Sequence, residues 1–354
     1  MTDNTKIEWA DTTWNPTLGC DRISAGCDNC YAIGQAHIRA RNPHPRIAAA
    51  FTGLTERTEQ GTDWTGRINL LPDRLDQPMH WRKSRRIFVN SLSDLFHQDV
   101  PEDFIAQVWT VMGATPQHTY QILTKRHARM RSVVRRIAWR TPTTEERRRG
   151  IHHAQAYVQP NEDLNDHIGL PRVLPNVWLG ISAEDQKRAD LRVPALLDTP
   201  AAVRWVSAEP LLGPLDLTRI SRARNQQPEL AWDVLGRRYG VPGRWEAPMN
   251  SNAGLDWVVT GGESGPRARP ADPNWFRSLR DQCQAAGVAY LHKQNGEWAP
   301  TGQVGIGCID DRERLAGPPD ERGFREVIRR VGKKAAGREL DGQIWDEYPT
   351  ATHP

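Results

Sequence analysis

The sequence predicts an α/β fold, a full or partial (β/α) barrel, and three observations carry that expectation. Short apolar runs rich in β-forming residues recur along the chain, each closed by a polar cluster. Helical patterns lie between them, so strand, polar turn and helix alternate as in right-handed βαβ units. The runs are continuously apolar, as strands buried on both faces of a parallel sheet are, and an antiparallel sandwich would alternate instead.

Taken in order, a first strand and turn are expected in IEWADTTWNP (7–16) and a first helix in YAIGQAHIRARN (31–42). Six apolar runs follow: IFVNSLSD (87–94), TYQILTKR (119–126), VWLGISAED (177–185), VRWVSAEP (203–210), LDWVVTGGESG (255–265) and VAYLHKQNG (288–296). Between the first two, Phe104, Ile105, Val108, Val111 and Met112 recur at helical spacing, with Pro101, Glu102 and Asp103 as first-turn signals and Gly113 near the end. DPNWFRSLRDQCQAAG (272–287) repeats that plan from Asp272 and Pro273 to Gly287. Residues 129–172 and 218–253 interrupt the alternation and read as insertions between units. The expected organisation is a barrel over 1–300 with a charged, Gly- and Pro-rich appendage over 301–354, which Ile344, Trp345 and Tyr348 would dock. The strands repeat in type only, without a fixed 20- to 50-residue motif.

Composition narrows the class. Hydrophobic residues make up 38% of 354, mean hydropathy is −0.67 and the N-terminus is polar. No apolar run approaches the ~20 residues a bilayer span needs, so a soluble, cytoplasmic protein without a membrane partner is expected. Net charge is only +4, yet arginines crowd RMRSVVRRIAWR and EERRRG within 129–150. A solvated insertion and a nucleic-acid contact through Arg135, Arg136 and Arg147 to Arg149, with Trp139 among them, are both open readings.

If the runs are barrel strands, their polar closures share the C-terminal rim, where such barrels gather catalytic residues. The rim candidates for catalysis are Asp94, Lys125, Glu209 and Lys293, and those for holding a cofactor are Ser182, Glu184, Gly262, Glu263 and Ser264. Each also has a plainer reading as a cap, turn or ion-pair residue. His97 and His292 read first as hydrogen-bonded histidines near strand ends.

The stretch GCDRISAGCDNCYA puts Cys20, Cys27 and Cys30 within eleven positions, while only Cys283 and Cys308 lie elsewhere. A disulfide would leave one over, and reduced thiols suit a metal site. Three thiolates can hold zinc with a fourth ligand, for which His37, Cys283 or Cys308 are available. They can equally hold a four-iron four-sulfur cluster whose fourth iron stays open to an exogenous ligand.

The separated motifs WNPTLGC, GCDNCY, IFVNSLSDLFHQDVP, QILTKR, VWLGISAEDQ, VSAEPLLGPLDL, VVTGGESGPRARP and KQNGEW together resemble, over almost the whole chain, an uncharacterised family of phage- and prophage-associated proteins with a three-cysteine motif. That family is regarded as related to the radical S-adenosylmethionine superfamily. The resemblance implies a barrel of that superfamily's type, with Cys20, Cys27 and Cys30 binding the cluster and S-adenosylmethionine chelating its open iron. It also implies a reductant protein and a companion protein encoded nearby. The spacing here is six residues then two, where the superfamily commonly has three then two, and Tyr31 follows the last cysteine instead of preceding it. GGESG follows a late strand, whereas the superfamily's GGE motif follows the second, and Asn295 stands where the related family usually has Trp.

Two other readings compete. One is a non-catalytic nucleic-acid-binding or assembly protein with structural zinc at the same cysteines. The other is a hydrolase using Asp94, Glu209, Glu263 and His97, which leaves the cysteines without a role.

Overall fold

The computed structural model describes residues 5, 7–160, 173–221, 230–241, 244–246, 254–304, 312–319 and 321–350. Its centre is one parallel sheet of seven strands: β1 (Thr12–Trp14), β2 (Arg86–Val89), β3 (Thr119–Thr124), β4 (Val177–Ser182), β5 (Val203–Ala208), β6 (Trp257–Gly261) and β7 (Ala289–Gln294). Neighbours in the sheet follow chain order, and β1 and β7 do not pair with each other, so the sheet curls into a partial barrel. β1 falls in the expected first strand and turn, and β2 to β7 in the six apolar runs, with β2 beginning one residue early at Arg86.

Five crossovers use helices. α1 (Tyr31–Arg39) leaves the cysteine loop, α2 (Glu102–Ala114) links β2 to β3, α3 (His127–Val134) begins the passage to β4, and α4 (Gln186–Leu197) links β4 to β5. α5 (Pro273–Ala286) links β6 to β7, capped by the Asp272 side chain on the Asn274 amide at 2.9 Å and ended by Gly287 at φ 67°. Residues 129–134 therefore complete a barrel helix, with Met130 and Val133 fully buried, and the inserted part is the hairpin Ile137–Arg140 with Gln155–Val158. The second insertion replaces a helix between β5 and β6 with a small antiparallel sheet.

Strand residues alternate between two faces. One face packs on the helices through Ile87, Tyr120, Leu179, Val206, Val258 and Tyr290. The other lines the inside of the partial barrel, where Trp9, Phe88, Trp178, Trp205, Trp257 and Leu291 form an aromatic floor. Gly180 is paired with Trp205 across the ladder, and a Cβ on Gly180 would lie 2.3 Å from the indole. The missing side chain is what lets the ring lie over β4.

The tail forms its own antiparallel sheet from Trp298–Val304, Glu313–Ala316 and Arg325–Arg330, the first of which runs across residue 300. Beyond it the chain returns to the barrel. The His292 amide donates to the Trp345 carbonyl at 3.0 Å, and Trp257 Nε1 donates to the Glu347 carbonyl at 2.9 Å. The Tyr348 ring lies 5.4 Å from that of Trp257 and 4.4 Å from the Arg86 guanidinium carbon. Trp345 and Tyr348 thus dock the tail, whereas Ile344 is 58% exposed and does not. Among the described residues no helix is long and apolar enough to cross a membrane.

Replacing Gly180 with alanine is expected to cost about 1–3 kcal/mol of stability through overpacking against Trp205, read as a lower midpoint in urea denaturation at unchanged slope.

Candidate functional site

Continuing the period of two beyond the aromatic floor brings inward-facing positions to the C-terminal rim, and these are polar: Lys125, Ser182, Glu184, Ser207, Glu209 and Lys293. They interlock. Lys125 Nζ donates to Ser182 Oγ at 2.9 Å, and Ser182 Oγ donates to the Glu209 carbonyl at 3.3 Å. Glu209 Oε1 accepts from Lys293 Nζ at 2.7 Å and from Gln294 Nε2 at 3.3 Å. Gly261 leaves room for the Glu209 side chain, whose Cδ lies 3.2 Å from where a Cβ would stand. The sequence candidates Lys125, Ser182, Glu209 and Lys293 are therefore one network with two ammonium groups and one carboxylate.

The cysteine loop crosses this rim between β1 and α1 and is pinned from several strands. The Gly26 amide donates to Glu184 Oε1 at 3.4 Å, and Asn29 Nδ2 donates to Glu263 Oε2 at 2.9 Å. Arg269 joins Glu263 to the loop, donating to Glu263 Oε1 at 2.6 Å, to Asp28 Oδ2 at 3.1 Å and to the Ala25 carbonyl at 2.8 Å. Arg126 bonds Asp21 and donates to Asp94 Oδ2 at 3.0 Å. Asp94 also accepts from Thr124 Oγ1 at 2.7 Å and from the Phe96 amide at 3.0 Å, so it anchors the Arg126 side chain. Arg192 donates to Glu184 Oε2 at 2.9 Å beneath the loop.

Burial pushes the Asp94 carboxyl above its ordinary range despite its donors. Burial opposes ionisation of Glu184 and Glu263 too, but their partners prevail. Ser24, Arg192 and Lys125 hold Glu184 low, and Arg269 with Asn29 holds Glu263 low. Through Glu184 and Glu263 the loop clamp is thus ionic at neutral pH.

Among the thiols, burial pushes Cys20 up to about 12, partly offset by Arg126, whose Nη1 lies 3.5 Å from the sulfur. Burial likewise raises Cys30, against the amides of Ala32 and Ile33 and the charge of Lys125. Cys30 is the N-cap of α1, where amide dipoles favour a thiolate. Among the described residues no three or more His, Cys, Asp or Glu side chains gather as ligands of a single metal ion. A cubane would spread its thiolates over separate irons, and the loop carries three half-buried thiols, with Arg126 beside Cys20 and the charge of Lys125 acting on Cys30.

Of the other proposed zinc ligands, His37 has its Nδ1 3.2 Å from Thr55 Oγ1, Cys283 is buried on α5, and Cys308 lies outside the described residues. Gly262 permits a close approach, but what approaches is the Asn295 backbone, whose carbonyl oxygen would lie 2.1 Å from an added Cβ. Ser264 is half-buried just beyond Glu263. His292 bridges Thr260 Oγ1 at 2.9 Å and Asn295 Oδ1 at 3.0 Å, with its pKa pushed down to about 4 chiefly by burial. His97 is buried, accepting from the Asp99 amide at 3.2 Å. In the arginine-rich insertion, Arg136 bonds Glu102, Arg135 donates to the Asp198 carbonyl at 3.3 Å, Arg149 pairs with Glu145 at 2.7 Å and Trp139 is buried against Gly113.

Arg126, Arg192, Arg269 and Asn29 do not stand out in the sequence. Arg126 follows Lys125 in QILTKR and Arg269 is the second arginine of GPRARP, so motif membership is the only signal of them.

Fold and site define a partial (β/α) barrel with a three-cysteine loop clamped across its C-terminal rim. A family model described as "Protein of unknown function (DUF5131)" matches residues 4–349, and the chain belongs to that family. No match is found among curated proteins or solved structures.

Glu263→Gln is expected to lower stability by about 1.5–3 kcal/mol at neutral pH, the range for a charge-assisted hydrogen bond. Because the folded pKa of Glu263 lies below its ordinary value of 4.5, the difference from wild type should persist above that pH and fade as pH drops below it. Urea midpoints of both proteins across pH check this.

Proposed function

We propose that the chain is a radical S-adenosylmethionine enzyme in which Cys20, Cys27 and Cys30 hold a four-iron four-sulfur cluster, acting on a nucleic-acid or nucleotide substrate. The observation that carries the reading is the position of the cysteine loop, laid over the strand C-termini of a parallel barrel and above a ring of inward polar residues. A cluster held by Cys20, Cys27 and Cys30 would supply one electron for cleavage of S-adenosylmethionine to methionine and a 5′-deoxyadenosyl radical, which would take hydrogen from the substrate.

The chain's own residues prepare that event. Arg126 and Lys125 partly offset the burial that disfavours thiolates at Cys20 and Cys30. With Glu184 taken up by Arg192, Lys125 and Lys293 outnumber Glu209 in the inward ring, so the ring attracts an anion such as the carboxylate of an amino acid. Glu209 keeps Lys293 in place. The aromatic floor closes the barrel beneath the ring and excludes water from below. The reading requires a separate one-electron donor protein.

The test is anaerobic reconstitution with iron and sulfide, followed by S-adenosylmethionine and a strong reductant. A brown protein forming 5′-deoxyadenosine is expected, with product lost in Cys30→Ala. A colourless protein that takes one zinc and no iron would overturn the reading in favour of a zinc-bound interaction protein.

A further inference from the structure

The tail sheet has an apolar cluster of its own in Trp298, Ala316 and Ile328, yet its polar groups reach out to the turn after β6. Glu297, immediately before the first tail strand, joins the two. Its carbonyl accepts from the amides of Val331 at 3.0 Å and Gly332 at 3.1 Å, while its own amide donates to the Glu263 carbonyl at 3.0 Å and its Oε1 accepts from the Gly265 amide at 3.0 Å. Arg330, paired with Trp298 across the ladder, donates through Nη2 to the carbonyls of Gly265 at 2.9 Å and Pro266 at 2.6 Å. Trp298 Nε1 donates to the Ala268 carbonyl at 3.0 Å in a buried contact. Gly296, at φ 81°, permits the close approach, since a Cβ there would lie 2.3 Å from the Glu263 carbonyl oxygen.

The same turn ends on the two residues that hold the cysteine loop. Glu263 accepts from Asn29, and Arg269 joins Glu263 to Asp28 and to the Ala25 carbonyl. An irregular turn has no ladder of its own to keep its ends in register, and such segments open locally unless other elements tie them. Here the tail ties the middle, so Glu263 and Arg269 arrive at the loop with their spacing fixed.

We propose that the tail sheet positions the thiol loop, with Glu297, Trp298 and Arg330 as positioning residues that act on Cys20, Cys27 and Cys30 through Glu263 and Arg269. The proposal goes beyond the radical reading, because it holds for any metal or cluster the three thiols take.

The test uses the full chain without metal. Iodoacetamide modification of Cys20, Cys27 and Cys30 is timed by peptide mass spectrometry, with Cys283, buried on α5, reporting general unfolding. Trp298→Phe with Arg330→Gln removes the three hydrogen bonds these side chains give the turn and keeps an aromatic ring in the tail cluster. It is expected to speed modification of the loop thiols at least about fivefold, the factor set by one net hydrogen bond, with Cys283 at its wild-type rate. Arg330→Gln alone should shift the loop thiols in the same direction, and Arg330→Lys, which can still donate to a carbonyl, should stay near wild type. Arg269→Gln should match the tail pair, and combining them should add little, because both act on one path. Wild-type loop rates in the tail pair would overturn the proposal. Equal acceleration at Cys283 would overturn it too, by showing that the tail stabilises the whole chain and not the loop, as would fully additive effects of the tail pair and Arg269→Gln. Loop rates that follow the expectation in a protein that takes no iron would sink only the radical reading, and unchanged rates in a protein that forms the cluster would sink only this one.

Discussion

The structure depends on how an open barrel fills its own interior. Seven strands that do not close leave an inner face with no opposing strands, and this chain fills it with indoles. Trp205 lies over Gly180 and within 5.2 Å, centroid to centroid, of both Trp9 and Trp257. Large aromatic groups at tilted and edge-on angles fill volume that small aliphatic layers fill in closed barrels. The polar ring stands on that floor, so the geometry of Lys125, Ser182, Glu209 and Lys293 is inherited from packing below it.

Above the ring, the loop is held by charge more than by apolar contact. Its anchors come from β2, β3, β4 and β6 regions at once, through Asp94, Arg126, Glu184 and Glu263. Buried carboxylates are stable there only because each meets an arginine or an amide. The clamp therefore converts the strand order of the sheet into a fixed position for three thiols.

The strands were legible because parallel strands buried on both faces show as uninterrupted apolar runs, and IFVNSLSD or VWLGISAED admit few other readings. The rim followed from the rule that such strands end at one side. Less legible was which polar residue would serve the loop and which the ring, since Glu184 and Glu209 look alike in SAED and SAEP; only the bend of the chain after each strand separates them. Arg269 was hidden because its partners Asp28 and Ala25 lie some 240 positions away. Residues 129–134 were assigned to an insertion because their arginines masked the buried stripe of Met130, Val133 and Val134.

Tyr348 stacks on Trp257 of β6, lies against Arg86 of β2 and reaches the Glu8 carbonyl at 3.5 Å, so one late residue spans the bottom of the open barrel. During synthesis every strand leaves the ribosome before this residue does. The floor must therefore wait, with its indoles uncovered from below, until the chain has been extended some fifty positions past β7. Until residue 348 is in place, those indoles are an uncovered aromatic surface of the kind that makes incomplete chains prone to aggregate.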